Sequence, residues 1–127
     1  MALRTISWIA QIIVIVILGQ TLFFKFNDHP ETVALFEQLD AGAAVYKSIG
    51  AAELVACCLL LIPGLIAYGA ALSAALMAGA IFAHLTKLGF AGDAGLLGSM
   101  AIGAFALSLF ILFVRRAQLP FFPRSKD

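Results

Sequence analysis

The sequence predicts an all-α integral membrane protein: an up-down bundle of four transmembrane helices, with a short amphipathic helix lying outside the bilayer between the first two. Three observations carry this. The chain of 127 residues is 63% hydrophobic and 12% charged, whereas a soluble domain has roughly 25% charged residues and at most about half apolar ones. Its charges avoid long stretches. None falls between Arg4 and Lys25 or between Asp93 and Arg115, and between Glu53 and Lys87 the only ionisable groups are His84 and the weakly acidic Cys and Tyr side chains. A mid-bilayer charge costs about 2.5–3.5 kcal/mol even on insertion scales, so hydrocarbon selects such gaps. Finally, no segment alternates with period two, which argues against a β-barrel.

The apolar runs place spans at residues 6–26, 45–62, 66–88 and 94–114 of a single domain, each close to the about 20 helical residues that cross about 30 Å of hydrocarbon. Pro63-Gly64 ends the second, Gly89 the third and Arg115-Arg116 the fourth. The first run is too long for a signal-peptide core and no A-x-A site follows it, so it is expected to be a retained helix. In the tail, 115–127, Pro120-Phe121-Phe122-Pro123 with Arg124 and Lys126 reads as an interfacial anchor.

The sizeable connection follows the first span. Asp28 as N-cap with Glu31 three residues on, and Pro30 in the first turn, predict a helix start. Val33, Phe36 and Leu39 recur at helical spacing beside Glu31, Glu37, Gln38 and Asp40, which gives a surface-lying amphipathic helix ending near Gly42. Basic residues orient the bundle: Arg4, Arg115, Arg116, Arg124 and Lys126 share the side of both termini. Lys25, Lys47 and Lys87 on the other side are interspersed with Asp28, Glu31, Glu37, Asp40 and Asp93. The termini are therefore expected to be cytoplasmic, with the connection external. Small residues permit close helix packing in lipid. Ala71, Ala75, Gly79 and Ala83, with Ala70, Ala74 and Ala78 one position over, and Gly95, Ser99 and Gly103 are expected either to join the third and fourth spans or to form a homo-oligomer interface.

A net charge of +1 leaves no basic footprint for nucleic acid. Adjacent Cys57 and Cys58 make neither a CxxC redox pair nor a metal site and read as small buried core residues. There is no phosphate-binding glycine loop or nucleophile elbow. His29, beside Pro30, is expected in solvent. Tyr46, Tyr68 and Trp8 are expected in aromatic belts, and deep Gln11 is expected to bond across helices.

The informative polar residues are Gln20, Lys25, Glu53 and His84. Lys25 ends the first span and Gln20 lies about 7.5 Å deeper; Glu53 is about 9 Å in from Lys47, and His84 about 4.5 Å in from Lys87. All four belong to the external half. A glutamate within a membrane helix needs pairing or protonation, and Lys25 is its natural ionic partner. This cluster is either a polar staple that sets helix register or the head of a binding pocket.

The order of these residues resembles a known family. Phe23-Phe24-Lys25-Phe26 ends the first span, and Ser48-Ile49-Gly50-Ala51-Ala52-Glu53-Leu54 leads to Cys57-Cys58-Leu59-Leu60-Leu61. Tyr68-Gly69-Ala70 and a helix bearing Met77, Ala80 and Ala83-His84-Leu85 follow. This pattern is similar, over roughly residues 8–110, to the DoxX-like family of small bacterial four-helix membrane proteins. The resemblance implies association with a membrane or soluble oxidoreductase, and Lys25, Glu53 and His84 fall on the matching positions. The absence of a redox cysteine motif argues against thiol chemistry. Two functions stand: a membrane subunit that holds a quinone or lipid in an external-side pocket, where a Glu–His pair can also move protons, or a non-catalytic assembly protein. A channel is disfavoured, because one polar cluster on one side lines no path across.

Overall fold

The computed structural model describes residues 2–89 and 93–119; the expected anchor at 120–126 lies outside them. Helices α1 (Ala2–Phe26), α2 (Pro30–Gln38), α3 (Ala43–Leu61), α4 (Ile66–Ala83) and α5 (Asp93–Val114) follow in order. A 3₁₀ turn, Pro63–Leu65, joins α3 to α4, and α4 ends in a π turn, His84–Leu88. The four long helices close into a ring: α1 packs on α3 and α5, and α4 on α3 and α5. Cross-links fix the sense of each pair. Along α1 and α3, Gln11 bonds to Leu60, Thr21 to Glu53 and Asp28 to Tyr46, so the helices are antiparallel. Ser73 with Ser108 and Ala67 with Gln118 do the same for α4 and the α5 end. The bundle thus has a terminal end and a lid end, the latter carrying α2.

Lipid is the solvent that explains which faces turn inward. The core stripe of α1 is Ser7, Ala10, Gln11, Val14 and Leu18, an i, i+3, i+4, i+7, i+11 pattern. Two of these five are polar, while Ile12, Val16 and Ile9 on the outer face are at least half exposed. Phe82, Leu96 and Phe113 likewise point outward. Water would reverse this arrangement; hydrocarbon accepts apolar surface and drives polar groups to bond inside. By length and composition α1, α3 and the run Pro63–Leu88 suffice to cross a membrane, and α5 adds the apolar stretch Gly98–Val114.

Close approach of α3 and α4 depends on Gly69. A Cβ there would lie 2.8 Å from the Leu60 nitrogen and 2.9 Å from the Leu59 Cβ, so only glycine permits this spacing. The α4–α5 seam differs from the expected small-residue stripes. Ala70, Ser73, Ala74 and Met77 meet Ala101, Ala104, Ser108 and Ile111, all buried. Ser99 and Gly103 are exposed and Gly95 half-buried, so that stripe is not the seam.

The terminal end is more polar than expected. Arg115, which the sequence places at the end of the fourth span on the side of the termini, is only 9% exposed. It reaches back to the Ser7 hydroxyl at 3.3 Å and Gln11 Oε1 at 3.5 Å, while Ser7 donates to Gln11 Oε1 and Gln11 Nε2 donates to the Leu60 carbonyl. Gln118 accepts from the Ala67 nitrogen and donates to the Pro63 carbonyl, satisfying groups left open at the α4 start. Of the two cysteines, Cys57 is buried but Cys58 is exposed, because neighbours on a helix point about 100° apart.

Candidate functional site

Glu53 sits on the inner face of α3 and is 1% exposed. Two α1 residues one helical turn apart meet it. The Lys25 ammonium lies 3.0 Å from Oε1, and the Thr21 hydroxyl donates to Oε2 at 2.8 Å, shared with its own Leu18 carbonyl. The ammonium thus pairs with the carboxylate at Oε1 while the Thr21 hydroxyl holds Oε2. His84, also buried, enters from α4. The π turn that begins at His84 ends at Gly89, whose φ of 73° is the left-handed cap that glycine tolerates without strain. His84 Nδ1 lies 2.9 Å from the Gly89 carbonyl. A carbonyl can only accept, so Nδ1 carries the hydrogen of that bond.

Lys25, Thr21, Glu53 and His84 all line one cavity of ≈ 380 Å³. This is the size of a small-molecule site. Its walls are mainly apolar: Ile17, Leu76, Met77 and Met100 below, and Ala75, Gly79, Ala80 and Ala83 along α4. Helix α2 closes the top with Thr32, Leu35, Phe36 and Leu39, an i, i+3, i+4, i+7 face that makes it amphipathic with respect to the cavity.

The lid is held in ways the sequence only partly announced. Its N-cap is His29, not Asp28; His29 Nδ1 accepts from the Glu31 nitrogen, and Pro30 takes the first helical position. His29 is half-buried against the Phe24 ring, with centroids 4.7 Å apart, so it is not a solvated loop residue. Asp28 adopts φ 51° and is gripped by the Tyr46 hydroxyl and by Lys47 at 3.3 Å. These contacts hold its carboxyl below the usual aspartate range, the Tyr46 hydrogen bond being the larger cause. Tyr46 is buried, not in an aromatic belt, and its ring lies against Phe36 of the lid. The lid ends at Gln38 rather than Gly42: Asp40 takes the left-handed turn, at φ 56°, and Gly42 caps α3.

The structure brings Lys25, Glu53 and His84 to one cavity and leaves Gln20 out. Gln20 is exposed and does not line it, being about 100° round the helix from Thr21. Thr21 is the residue that sequence reasoning missed. The signal was available: Thr21 lies four residues before Lys25, on the same helix face. Among the described residues no group of three or more His, Cys, Asp or Glu could hold a metal ion.

The sequence pattern of the DoxX-like family matches residues 9–113. No curated protein and no solved structure matches the chain. The matched segment is most of the sequence and takes in all or most of each ring helix and the whole polar cluster, and on that basis the chain is a membrane protein belonging to the DoxX-like family.

Proposed function

We propose that this protein is a membrane-embedded binding subunit of an oxidoreductase-linked system, and that its lid-end cavity holds a small apolar molecule, a quinone or a lipid. The carrying observation is the coexistence of a close ion pair with room beside it: Lys25 and Glu53 touch at 3.0 Å, and both line a cavity of ≈ 380 Å³ with mainly apolar walls. A polar pair serving only to join helices has no need of that space. Lys25, Glu53 and His84 are the groups that meet the ligand's polar end, and α2 covers it. The charge pattern supports placing the lid outside and both termini in the cytoplasm of a bacterium, with the bundle in its inner membrane.

The second reading, a staple, has its own support, since Lys25 and Thr21 on α1 both engage Glu53 on α3. Gly79→Leu separates the two. Gly79 borders the cavity and an added Cβ there meets nothing within 4 Å, so leucine is expected to take up cavity space while leaving the ion pair intact. Mass spectrometry of organic extracts from purified protein reads co-purifying quinones and lipids. The binding reading expects a retained species in the wild type that falls at least tenfold in Gly79→Leu, with thermal stability unchanged. Equal retention in both proteins refutes it and leaves the staple.

A further inference from the structure

We infer that Arg115 and Arg4, at the end of the bundle away from the lid, form a site for a phosphate group, which at the edge of a bilayer is the head of an anionic phospholipid. Arg115 is its centre. The residue is only 9% exposed, yet its side chain bonds only to neutral partners among the described residues. Nε donates to the Ser7 hydroxyl at 3.3 Å and Nη2 to Gln11 Oε1 at 3.5 Å, both longer than the usual N–H···O range of about 2.7–3.2 Å. Gln11 Oε1 also accepts from Ser7 at 2.6 Å, so that acceptor is shared. Two of the five guanidinium N–H groups are used in this way, each in a long bond.

Charge supplies the second half of the argument. A buried cation calls for an opposite charge within reach. The acidic residues of the described segments, Asp28, Glu31, Glu37, Asp40, Glu53 and Asp93, all belong to the lid end. At the terminal end the neighbour is a second cation instead. Arg4, Ser7 and Gln11 stand at i, i+3 and i+7 on one face of α1, with Arg4 exposed and nearest the helix end. Burial, and after it the charge of Arg4, lowers the Arg115 guanidinium from its ordinary value. An anion held between the two arginines relieves both. Phosphate suits the place: two of its oxygens match the paired N–H groups of a guanidinium, and anionic lipids carry it at the membrane surface. Arg116 stands apart from this site. It is exposed, donates to the Phe113 carbonyl, and lies over the Phe113 ring at 4.4 Å from the centroid.

The test titrates purified full-length protein, in a non-ionic detergent, with dioctanoyl phosphatidylglycerol, dioctanoyl phosphatidylcholine or inorganic phosphate, and reads thermal stabilisation. Phosphatidylglycerol is expected to reach half-effect on the wild type at a concentration at least tenfold below the other two. Arg115→Gln should abolish that preference. Arg4→Gln, a surface change that carries the test if Arg115→Gln does not fold, should weaken it at least threefold. Arg116→Gln, which removes the same charge one residue away, and Gly79→Leu, at the lid-end cavity, should each keep it. Equal responses to the two lipids overturn the inference. So does an equal loss in Arg116→Gln, which reduces the effect to surface charge, or a loss confined to Gly79→Leu, which puts the lipid in the cavity. A match by inorganic phosphate overturns the assignment to lipid and leaves a site for free phosphate.

Discussion

The Lys25–Glu53 pair makes an asymmetric prediction that separates its structural worth from any role in binding. At 3.0 Å and an effective dielectric of about 20, the two charges attract by about 5 kcal/mol. Taking both out of water offsets most of that, so the pair is expected to contribute little relative to uncharged residues of similar shape. Breaking it from either side is different, because the surviving charge is stranded. Lys25→Met strands Glu53, which is 1% exposed, and should cost about 3–5 kcal/mol. Glu53→Gln strands Lys25, which is 12% exposed on a flexible stem near a helix end, so it can snorkel and should cost only about 1–2 kcal/mol. The double variant should return to within about 1 kcal/mol of the wild type. Reversible unfolding in mixed micelles titrated with dodecyl sulfate, followed by circular dichroism, gives the four free energies. A coupling below about 0.5 kcal/mol, or a larger loss for Glu53→Gln than for Lys25→Met, would show that the ion pair does not hold α1 to α3 as the geometry indicates.

Two further predictions concern packing and the lid. Gly69→Ala forces a Cβ to within 2.8 Å of the Leu60 backbone nitrogen and should destabilise by about 1–3 kcal/mol in the same assay, whereas Gly79→Ala, in open space, should be neutral or slightly stabilising; equal effects would mean that α3 and α4 are not this close. The Asp28 clasp sets a pH limit on lid closure. Its carboxyl titrates below the ordinary aspartate value of 3.8, so the contribution of the clasp is complete above that value and is lost as pH falls through the lowered one. Hydrogen exchange across residues 30–38, corrected for intrinsic rates, should accelerate between pH 5 and pH 2.5 in the wild type. In Asp28→Asn it should already be fast at pH 5; indifference to both changes would refute the clasp.

Depth was legible in the sequence and rotation was not. Charged or strongly polar residues are so scarce in apolar runs that Lys25, Glu53 and His84 stood out, and helical rise alone set them at one level. Which way a side chain points requires a second signal, normally the contrast between a wet face and a dry one. In a membrane both faces of α4 and α5 are apolar, so that contrast is lost. Gln20 was therefore credited with the position that Thr21 occupies. The Gly95, Ser99 and Gly103 stripe, expected either to join α4 and α5 or to form a homo-oligomer interface, does not form the seam, where Ala101, Ala104, Ser108 and Ile111 are buried. Arg115 marks the end of α5 in the sequence, but nothing local shows that Ser7 and Gln11, more than a hundred residues earlier, provide it with acceptors. The lid was foreseen because α2 does have two unlike faces, although its cap fell one residue later than the Asp–Glu spacing suggested.

The two ends of the bundle solve different problems, and the difference bears on function. At the terminal end, polar side chains from α1 and from the segment after α5 bond to one another and to carbonyls of the α3–α4 region, as Ser7, Gln11, Arg115 and Gln118 show. That network closes the ring. At the lid end the backbone departs from regular helix at the π turn that presents His84, at the Gly89 cap behind it, and at the left-handed Asp28 and Asp40 on either side of α2. π turns and positive φ cost free energy, and they persist where surrounding contacts hold them for a purpose. Had the lid end needed only to be sealed, a bonded network like that of the terminal end would have sufficed. Instead the chain keeps small residues on α4 beside the cavity and spans the opening with a nine-residue amphipathic helix. Those features support the binding reading proposed for that end.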